Sequence, residues 1–226
     1  MHKGDPTAPP RPASPILVSG PALSIQSEPI QSRPAPGGDL STTVCARCAG
    51  QGTSCCRLES GGGGVCFPVS AMEWDRILDV VGGTKGAFVQ EPNSPPFQDA
   101  MRRLFPGEGR AVATLFPAHQ FHLRLATTAR GSCVFLGPQG CALPRETRPY
   151  HCRLFPFWIQ GERLTLLHAP GCLALREGGV AEDVLDVLGM RERDVRTLHG
   201  RLRLAWGLPP RPGLPLPPPS FARSRK

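Results

Sequence analysis

The segment 45–56 reads Cys45-Ala-Arg-Cys48-Ala-Gly-Gln-Gly-Thr-Ser-Cys55-Cys56 and places four cysteines within twelve residues. The Cys-x2-Cys spacing lets a tight turn direct two sulfurs at one metal, and Gly50 and Gly52 let the chain wrap closely around it. The vicinal pair is harder to fit to a single ion, because adjacent side chains of an extended segment point to opposite faces. Either this pair occupies a sharp turn or each sulfur serves a different metal.

A second group of cysteines follows with wider and irregular spacing. Cys133-x7-Cys141-x10-Cys152 is followed, nineteen residues later, by Cys172. Two groups of four match two tetrahedral thiolate sites, or one multi-iron site with thiols to spare. Because neither group alone has the usual geometry, we expect them to meet in space. The predicted ligands are Cys45, Cys48, Cys55, Cys56, Cys133, Cys141, Cys152 and Cys172.

The ninth cysteine, Cys66, lies in the apolar run Val65–Val69, and we predict that it is a core residue in a short strand. Nine is an odd number, which disagrees with a closed disulfide framework. No secretory signal is recognisable at the N-terminus, so the sequence predicts a cytoplasmic chain with reduced thiols. We therefore expect metal-bound rather than disulfide-bonded cysteines.

Proline-rich ends flank the cysteine segments. Residues 1–40 carry many Pro and Ser, residues 209–226 are dominated by Pro, and neither has an apolar period. Such segments favour disorder or polyproline II and cannot bury a core. The sequence predicts a disordered N-terminal segment at 1–40, a cysteine-cluster metal-binding domain at 41–208 and a disordered tail at 209–226.

The formal net charge is +8, and arginine supplies nearly all of the positive charge. The arginines are scattered, without a basic block, which argues against nucleic acid as a partner. Arg47, Arg57, Arg148 and Arg153 lie near cysteines and would offset the negative charge of a thiolate-bound metal. No apolar run approaches the roughly 18 residues of a membrane span, so we expect no membrane insertion. No protein partner is indicated.

Local patterns predict an α+β fold with short strands and loops around the cysteines and helices packed outside. A Ser70/Glu73 capping box predicts a helix that ends at Gly82-Gly83. The patterns also predict a helix from about Pro96 to Leu104, a strand at 121–125, a hairpin around 160–163 and a long helix over 180–208.

Few other residues suggest chemistry. His151 and His168 lie near cysteines and either could replace a thiol in a mixed site. Between Arg110 and Cys172 the only acidic residues are Glu146 and Glu162, which argues against a carboxylate acid/base pair there. The sequence identifies no catalytic residue and leaves open whether the protein is an enzyme.

Three blocks carry a family resemblance: Ser-Cys133-Val-Phe-Leu, Gly-Cys141-Ala-Leu and Arg148-Pro-Tyr-His-Cys152-Arg-Leu-Phe-Pro-Phe157. With the first cysteine group, they resemble the bacterial YkgJ-type cysteine-cluster family, described as a zinc- or iron-chelating domain. The family's late cysteine is often followed by Pro and Gly, whereas here Pro170 and Gly171 precede Cys172. A shorter similarity, to flagellin lysine methylases, covers only the first group and implies no methylase activity. The resemblance implies metal chelation without specifying the metal.

Three functions remain open from the sequence. The cysteines hold an iron–sulfur cluster with redox, radical-type or cluster-carrier activity, or they hold structural zinc in an interaction module, or they sequester zinc or iron. Zinc ribbons usually offer two Cys-x2-Cys knuckles. This chain has one, followed by the spacings x7, x10 and x19. The irregular spacing favours iron slightly over zinc.

Overall fold

The structure, a computed structural model, describes residues 43–51, 55–57, 67–83 and 85–211. The predictions for residues 1–40, for Cys66 and for most of the tail fall outside these residues. The described chain mixes helices and strands, which confirms the α+β prediction at that level.

The described residues contain eight α-helices, six strands and one short 3-10 helix at Lys85–Ala87. The helices are α1 (Val44–Gly50), α2 (Ala71–Val81), α3 (Pro95–Leu104), α4 (Gly109–Leu115), α5 (Tyr150–Leu154), α6 (Leu173–Gly178), α7 (Ala181–Val187) and α8 (Glu192–Ala205). The strands are β1 (Phe88–Pro92), β2 (Phe121–Leu125), β3 (Leu136–Gly137), β4 (Gly140–Cys141), β5 (Phe157–Gln160) and β6 (Arg163–Leu166).

The strands form three separate antiparallel pairs. β1 pairs with β2 from Phe88↔Leu125 to Pro92↔Phe121, and β3 pairs with β4 through Leu136↔Cys141. β5 and β6 form the predicted hairpin, in which Gln160 pairs with Arg163 and leaves a two-residue turn. The strand predicted at 121–125 is confirmed as β2.

The capping-box prediction for α2 is confirmed. The Ser70 side chain accepts a hydrogen bond from the Glu73 amide, and the Glu73 carboxylate accepts one from the Ser70 amide. Gly82 ends the helix in the left-handed conformation, with φ 73°. The predicted helix near Pro96–Leu104 is also confirmed, as α3, with Phe97 and Met101 buried.

The prediction of one long helix over 180–208 is wrong, because the segment divides into α7 and α8. Gly189 adopts φ 59°, and the Met190 amide bonds back to the Leu185 carbonyl at 2.9 Å. Glycine enters this left-handed region without the steric cost that other residues incur. The apolar period continues across the break because Leu188 and Val195 are spaced by about two helical turns, as they would be on one helix.

The strand predicted at 65–69 is absent from its described part, Phe67–Val69, although the Val69 amide donates to the Leu123 carbonyl at 2.7 Å. Pro68 cannot donate to a ladder, so a single bond forms instead of a strand. Four short helices, α1, α4, α5 and α6, were not predicted because each is at most seven residues long. Such lengths show too little apolar periodicity.

Two apolar clusters form the core. The larger joins every helix except α2 with the β5–β6 hairpin, around fully buried residues such as Trp158, Val195 and Leu202. The smaller joins α2 with β1 and the segment before β3, around Ile77 and Phe135. The packed chain continues past the predicted boundary at 208. The Pro209 carbonyl accepts hydrogen bonds from Arg203, and Arg211 pairs with Glu108.

Within the described residues, none of the helices combines the length and the apolar character that crossing a membrane requires.

Candidate metal centre

The structure brings the two cysteine groups together. The Cys133 amide donates to the Cys56 carbonyl at 2.7 Å, and Arg57 and Ser132 form a β-bridge beside this bond. Backbone bonds therefore join segments that lie more than seventy residues apart. We call α1, residues 55–57, β3, β4 and α5 the cysteine region.

Gly140 lets β4 approach α1 closely. A Cβ at this position would lie 3.5 Å from the Ala46 Cα and 3.6 Å from the Cys45 carbonyl oxygen. Gly140 also has φ 96°, a conformation that L side chains rarely adopt. The glycine before Cys141 thus fits a strand that must pass directly beside the first cysteines.

Electrostatic coupling shows which thiols are neighbours. Burial raises the pKa of Cys152 well above its ordinary value, and the negative charges of Cys56, Cys133 and Cys141 raise it further. Burial also raises the pKa of Cys45. Arg148 opposes that shift, and further cysteines add to it. The cysteines whose charges raise the pKa of Cys45 are Cys56, Cys48 and Cys172.

The vicinal pair lies in a turn, which is one of the two arrangements predicted for it. A hydrogen bond between the two thiols raises the pKa of Cys55 well above its ordinary value and lowers that of Cys56 to about 7. The charges of Cys152 and Cys45 add to the rise at Cys55. Each of the eight predicted ligands is therefore electrostatically coupled to at least one other.

Arg148 supplies positive charge to this cluster. Its guanidinium lowers the pKa of Cys45, Cys56 and Cys141 against the opposing effect of burial. The side chain donates to the Leu143 carbonyl at 2.9 Å and to the Cys141 carbonyl at 3.2 Å, which fixes its position.

Two of the other arginines predicted to offset thiolate charge point elsewhere. Arg47 pairs with Glu177 at 2.6 Å on the surface, and the Arg153 guanidinium lies 5.9 Å from the centre of the Tyr150 ring.

The first Cys-x2-Cys pair lies on a helix, so the predicted tight turn is wrong. Thr43 caps α1 by accepting a hydrogen bond from the Ala46 amide at 3.2 Å. Residues three apart are neighbours on a helical surface, so α1 presents Cys45 and Cys48 to the same side. The two cysteines therefore lie on one side of the chain, as their spacing predicts, but a helical turn and not a tight turn places them there.

Cys152 also lies on a helix, α5, although the sequence predicts short strands and loops around the cysteines. Pro149 is extended, with ψ 147°, and one helical turn begins immediately after it. The Tyr150 amide at the start of this turn donates to Glu73 Oε1 at 2.6 Å. An anion near the first amides of a helix stabilises them. Glu73 therefore fixes the start of the turn that carries Cys152.

Glu73 is the functional residue that the sequence analysis missed. It is fully buried, and its second oxygen accepts bonds from the Ser70 amide at 2.9 Å and the Ser70 hydroxyl at 2.7 Å. The capping box identified Glu73 as a cap of α2. No local signal showed that its other oxygen would serve α5, 77 residues away.

Arg76, one turn after Glu73, holds the same segment from the side. It donates to the Thr147 carbonyl at 3.3 Å and to the Arg148 carbonyl at 3.0 Å, and its guanidinium lies 4.7 Å from the Tyr150 ring centre. Helix α2 thus positions the segment that carries both Arg148 and Cys152.

His151 is the histidine that lies within the cysteine region. Its Nε2 is 3.2 Å from Cys152 Sγ, and its ring stacks on Phe67 with centroids 4.8 Å apart. Burial lowers the pKa of His151 to about 3, so the imidazole is neutral at physiological pH and able to act as a ligand. His168 is exposed to solvent.

Exposure differs among the thiols. Cys48 and Cys172 are buried, whereas Cys45, Cys55 and Cys152 reach the surface. Cys152 is exposed, yet burial raises its pKa. The two observations agree if protein surrounds the sulfur on most sides while solvent still reaches part of the residue. All eight are present as thiols.

Within residues 43–51, 55–57, 67–83 and 85–211, no three His, Cys, Asp or Glu side chains are arranged closely enough to hold a metal ion as they stand.

Comparison of the chain with protein-family models, with curated protein sequences and with solved structures finds no match in any of the three. The interpretation of the site therefore depends on its own geometry and chemistry.

Proposed function

We propose that this protein binds a metal centre, an iron–sulfur cluster or zinc, through Cys45, Cys48, Cys55, Cys56, Cys133, Cys141, Cys152 and Cys172. The observation that carries the proposal is the meeting of the two cysteine groups, where the Cys133 amide donates to the Cys56 carbonyl at 2.7 Å; the charges of Cys56, Cys133 and Cys141 accordingly raise the pKa of Cys152. Packing alone gives cysteines from distant segments no reason to lie near one another, whereas a thiolate-bound metal requires ligands that are close in space.

The donor set fits such a centre in type and in charge. Thiolates are the preferred ligands of iron–sulfur clusters and a common ligand of zinc. Arg148 brings one positive charge against several of these sulfurs, which offsets part of the negative charge of a thiolate–metal centre. Because no three donors converge in the described residues, binding requires the sulfurs to move closer together.

Solvent access favours a reactive or transferable centre over a purely structural zinc. Structural zinc sites are closed, with all four positions taken by protein. Here three of the predicted ligands, Cys45, Cys55 and Cys152, reach the surface on segments that meet in space. This arrangement supports an iron–sulfur protein with redox, radical-type or carrier activity. The structural-zinc module is the alternative.

Metal analysis of protein purified without oxygen, together with its visible spectrum, tests the proposal. An iron–sulfur cluster gives iron, sulfide and visible absorption. Zinc gives metal without visible absorption, because the ion has a filled d shell. A protein with neither metal, and with several disulfides detected by thiol counting under denaturing conditions, would overturn the proposal.

A cysteine series identifies the ligands. We expect Cys45→Ser, Cys56→Ser and Cys152→Ser to lower metal content and stability together, because metal binding and folding are coupled when ligands come from distant segments. Cys66→Ser is the matched control and should retain the full metal content. Equal metal loss in the Cys66 variant would show that the proposed ligand set is wrong.

A further inference from the structure

A cavity of about 510 Å³ lies between the segment around α5 and the first half of α8, beside the cysteine region. Three arginines, Arg145, Arg153 and Arg201, line it together with a single carboxylate, Asp194. Met190 and Leu198 contribute an apolar part of the wall. The volume falls within the range typical of small-molecule sites, roughly 300–1,000 Å³.

The positive charge of this cavity lacks a matching negative charge. None of the three arginines forms an ion pair with another of the described residues. Asp194 is already engaged: its Oδ2 accepts the Arg191 amide at 3.3 Å, and its Oδ1 lies 3.9 Å from Arg193 Nε. Among the side chains that line the cavity, three cations and one carboxylate leave a net charge of +2, and the Glu146 carboxylate, outside the lining, also acts on Arg153.

Two donors at this cavity also lack hydrogen-bond partners. The Nε atoms of Arg153 and Arg201 are buried, and neither has an acceptor among the described residues. Buried polar atoms in folded proteins are nearly always hydrogen-bonded. Protein already covers these two Nε atoms, so a ligand in the cavity would bind through the other nitrogens of the guanidinium groups. Arg153 has one acceptor, the Glu146 carbonyl at 3.4 Å, and that bond uses another nitrogen.

We propose that this arginine cavity binds a small organic phosphate monoester. A phosphate dianion matches the two uncompensated charges, and its oxygens accept from guanidinium forks in bidentate geometry. Met190 and Leu198 would contact the organic part of the molecule. The proposal does not depend on the metal centre, because none of the residues that line the cavity is a predicted metal ligand.

Calorimetric titration of the full-length protein tests this site, with AMP as the phosphate monoester and inorganic phosphate and succinate as comparison probes. We expect AMP to bind more tightly than either, with an affinity that falls as salt is added. Arg145→Gln and Arg201→Gln should each weaken AMP binding about tenfold, the loss of one charge-assisted hydrogen bond. Arg103→Gln, an exposed substitution on α3, should leave it unchanged.

Arg145 is exposed, so its substitution is not expected to unfold the protein. Equal metal content in wild type and Arg145→Gln separates this site from the metal centre. Absence of AMP binding at millimolar concentration, binding that is unchanged in Arg145→Gln, or succinate binding as tight as AMP binding would each overturn the proposal.

Discussion

The helical core and the cysteine region are stabilised in different ways. The helical core, formed by α3, α4, α8 and the β5–β6 hairpin, packs large apolar side chains such as Phe105 and Trp158, of which Trp158 is fully buried. In the cysteine region the longest helix has seven residues and the two strands have two residues each. Elements this short are marginal on their own.

The difference shows which forces hold each part. Burial of apolar area holds the helical core. The cysteine region adds Val44, Cys48, Tyr150 and Leu154 to the same apolar cluster, and otherwise depends on a few polar contacts made by Glu73, Arg76 and Arg148. We therefore expect the two regions to respond differently to metal removal and to mutation.

Metal removal should produce the largest effect, confined to one region. Structural metal sites contribute on the order of 10 kcal/mol to folding. After chelation we expect amide hydrogen exchange to accelerate strongly in α1 (Val44–Gly50), while the middle of α8 (Glu192–Ala205) keeps its protection. Exchange that accelerates equally in both helices would show that the two regions form one cooperative unit.

Trp158→Ala should damage the helical core most among single substitutions. The side chain is fully buried, contacts Phe105 and donates from Nε1 to the Leu104 carbonyl at 2.8 Å. Removing such a side chain costs roughly 3–5 kcal/mol. Urea unfolding measures the loss, and Leu204→Ala, at a position 39% exposed, is the control that should change little.

Glu108→Gln tests the ionic network of the same core. Arg203 is 1% exposed and forms two hydrogen bonds with Glu108, at 2.8 and 2.6 Å. Removing the carboxylate charge leaves a buried cation poorly compensated, at a cost of roughly 3 kcal/mol. Chemical unfolding at neutral pH measures the cost, and Glu182→Gln on the exposed side of α7 is the control.

The pH dependence of that cost follows from the pKa of Glu108. Burial raises this pKa, but the hydrogen bonds and charge of Arg203 outweigh burial and lower it below the ordinary value of 4.5. A lowered pKa means that the folded state binds the proton more weakly, so the stabilisation is complete above pH 4.5 and is lost as the pH falls. The difference between wild type and Glu108→Gln should shrink below pH 4.5. A difference that grows there would contradict the assignment.

Glu73→Gln should cause a smaller loss of stability and should also affect the cysteine region. The Glu73 carboxylate accepts hydrogen bonds from the Tyr150 amide and from Ser70. In the glutamine variant the side-chain NH2 group would face one of these donors and leave that donor without an acceptor, which costs roughly 1–3 kcal/mol. Because the Tyr150 amide begins the turn that carries Cys152, metal content should fall as well. Ser70→Ala removes the cap and the hydroxyl bond to Glu73 Oε2 but leaves the carboxylate facing the Tyr150 amide, so it costs about 1 kcal/mol and should spare the metal. Equal metal content in both variants would separate Glu73 from the site.

Local chemistry allowed several elements to be predicted. The Ser70/Glu73 box and Gly82 define α2, Pro96 and the apolar spacing define α3, and the alternation at 121–125 defines β2. Each signal acts within one or two helical turns or one strand. The break at Gly189 was missed because the hydrophobic period continues across it, and only the positive φ of the glycine ends α7.

The sequence by itself determined the donors of the candidate site, their two groupings and the mixed helical and strand character of the chain, because residue type and short-range spacing carry that information. Tertiary structure alone decided how the two groups meet, through the bond from the Cys133 amide to the Cys56 carbonyl, which of the four arginines lies beside several thiols, and that Glu73 holds the turn that carries Cys152. Glu73 and Tyr150 lie 77 positions apart, and Arg148 and Cys152 lie farther still from Cys56. Packing of α2 against the segment before α5 creates these relations, and no local pattern encodes packing between distant segments.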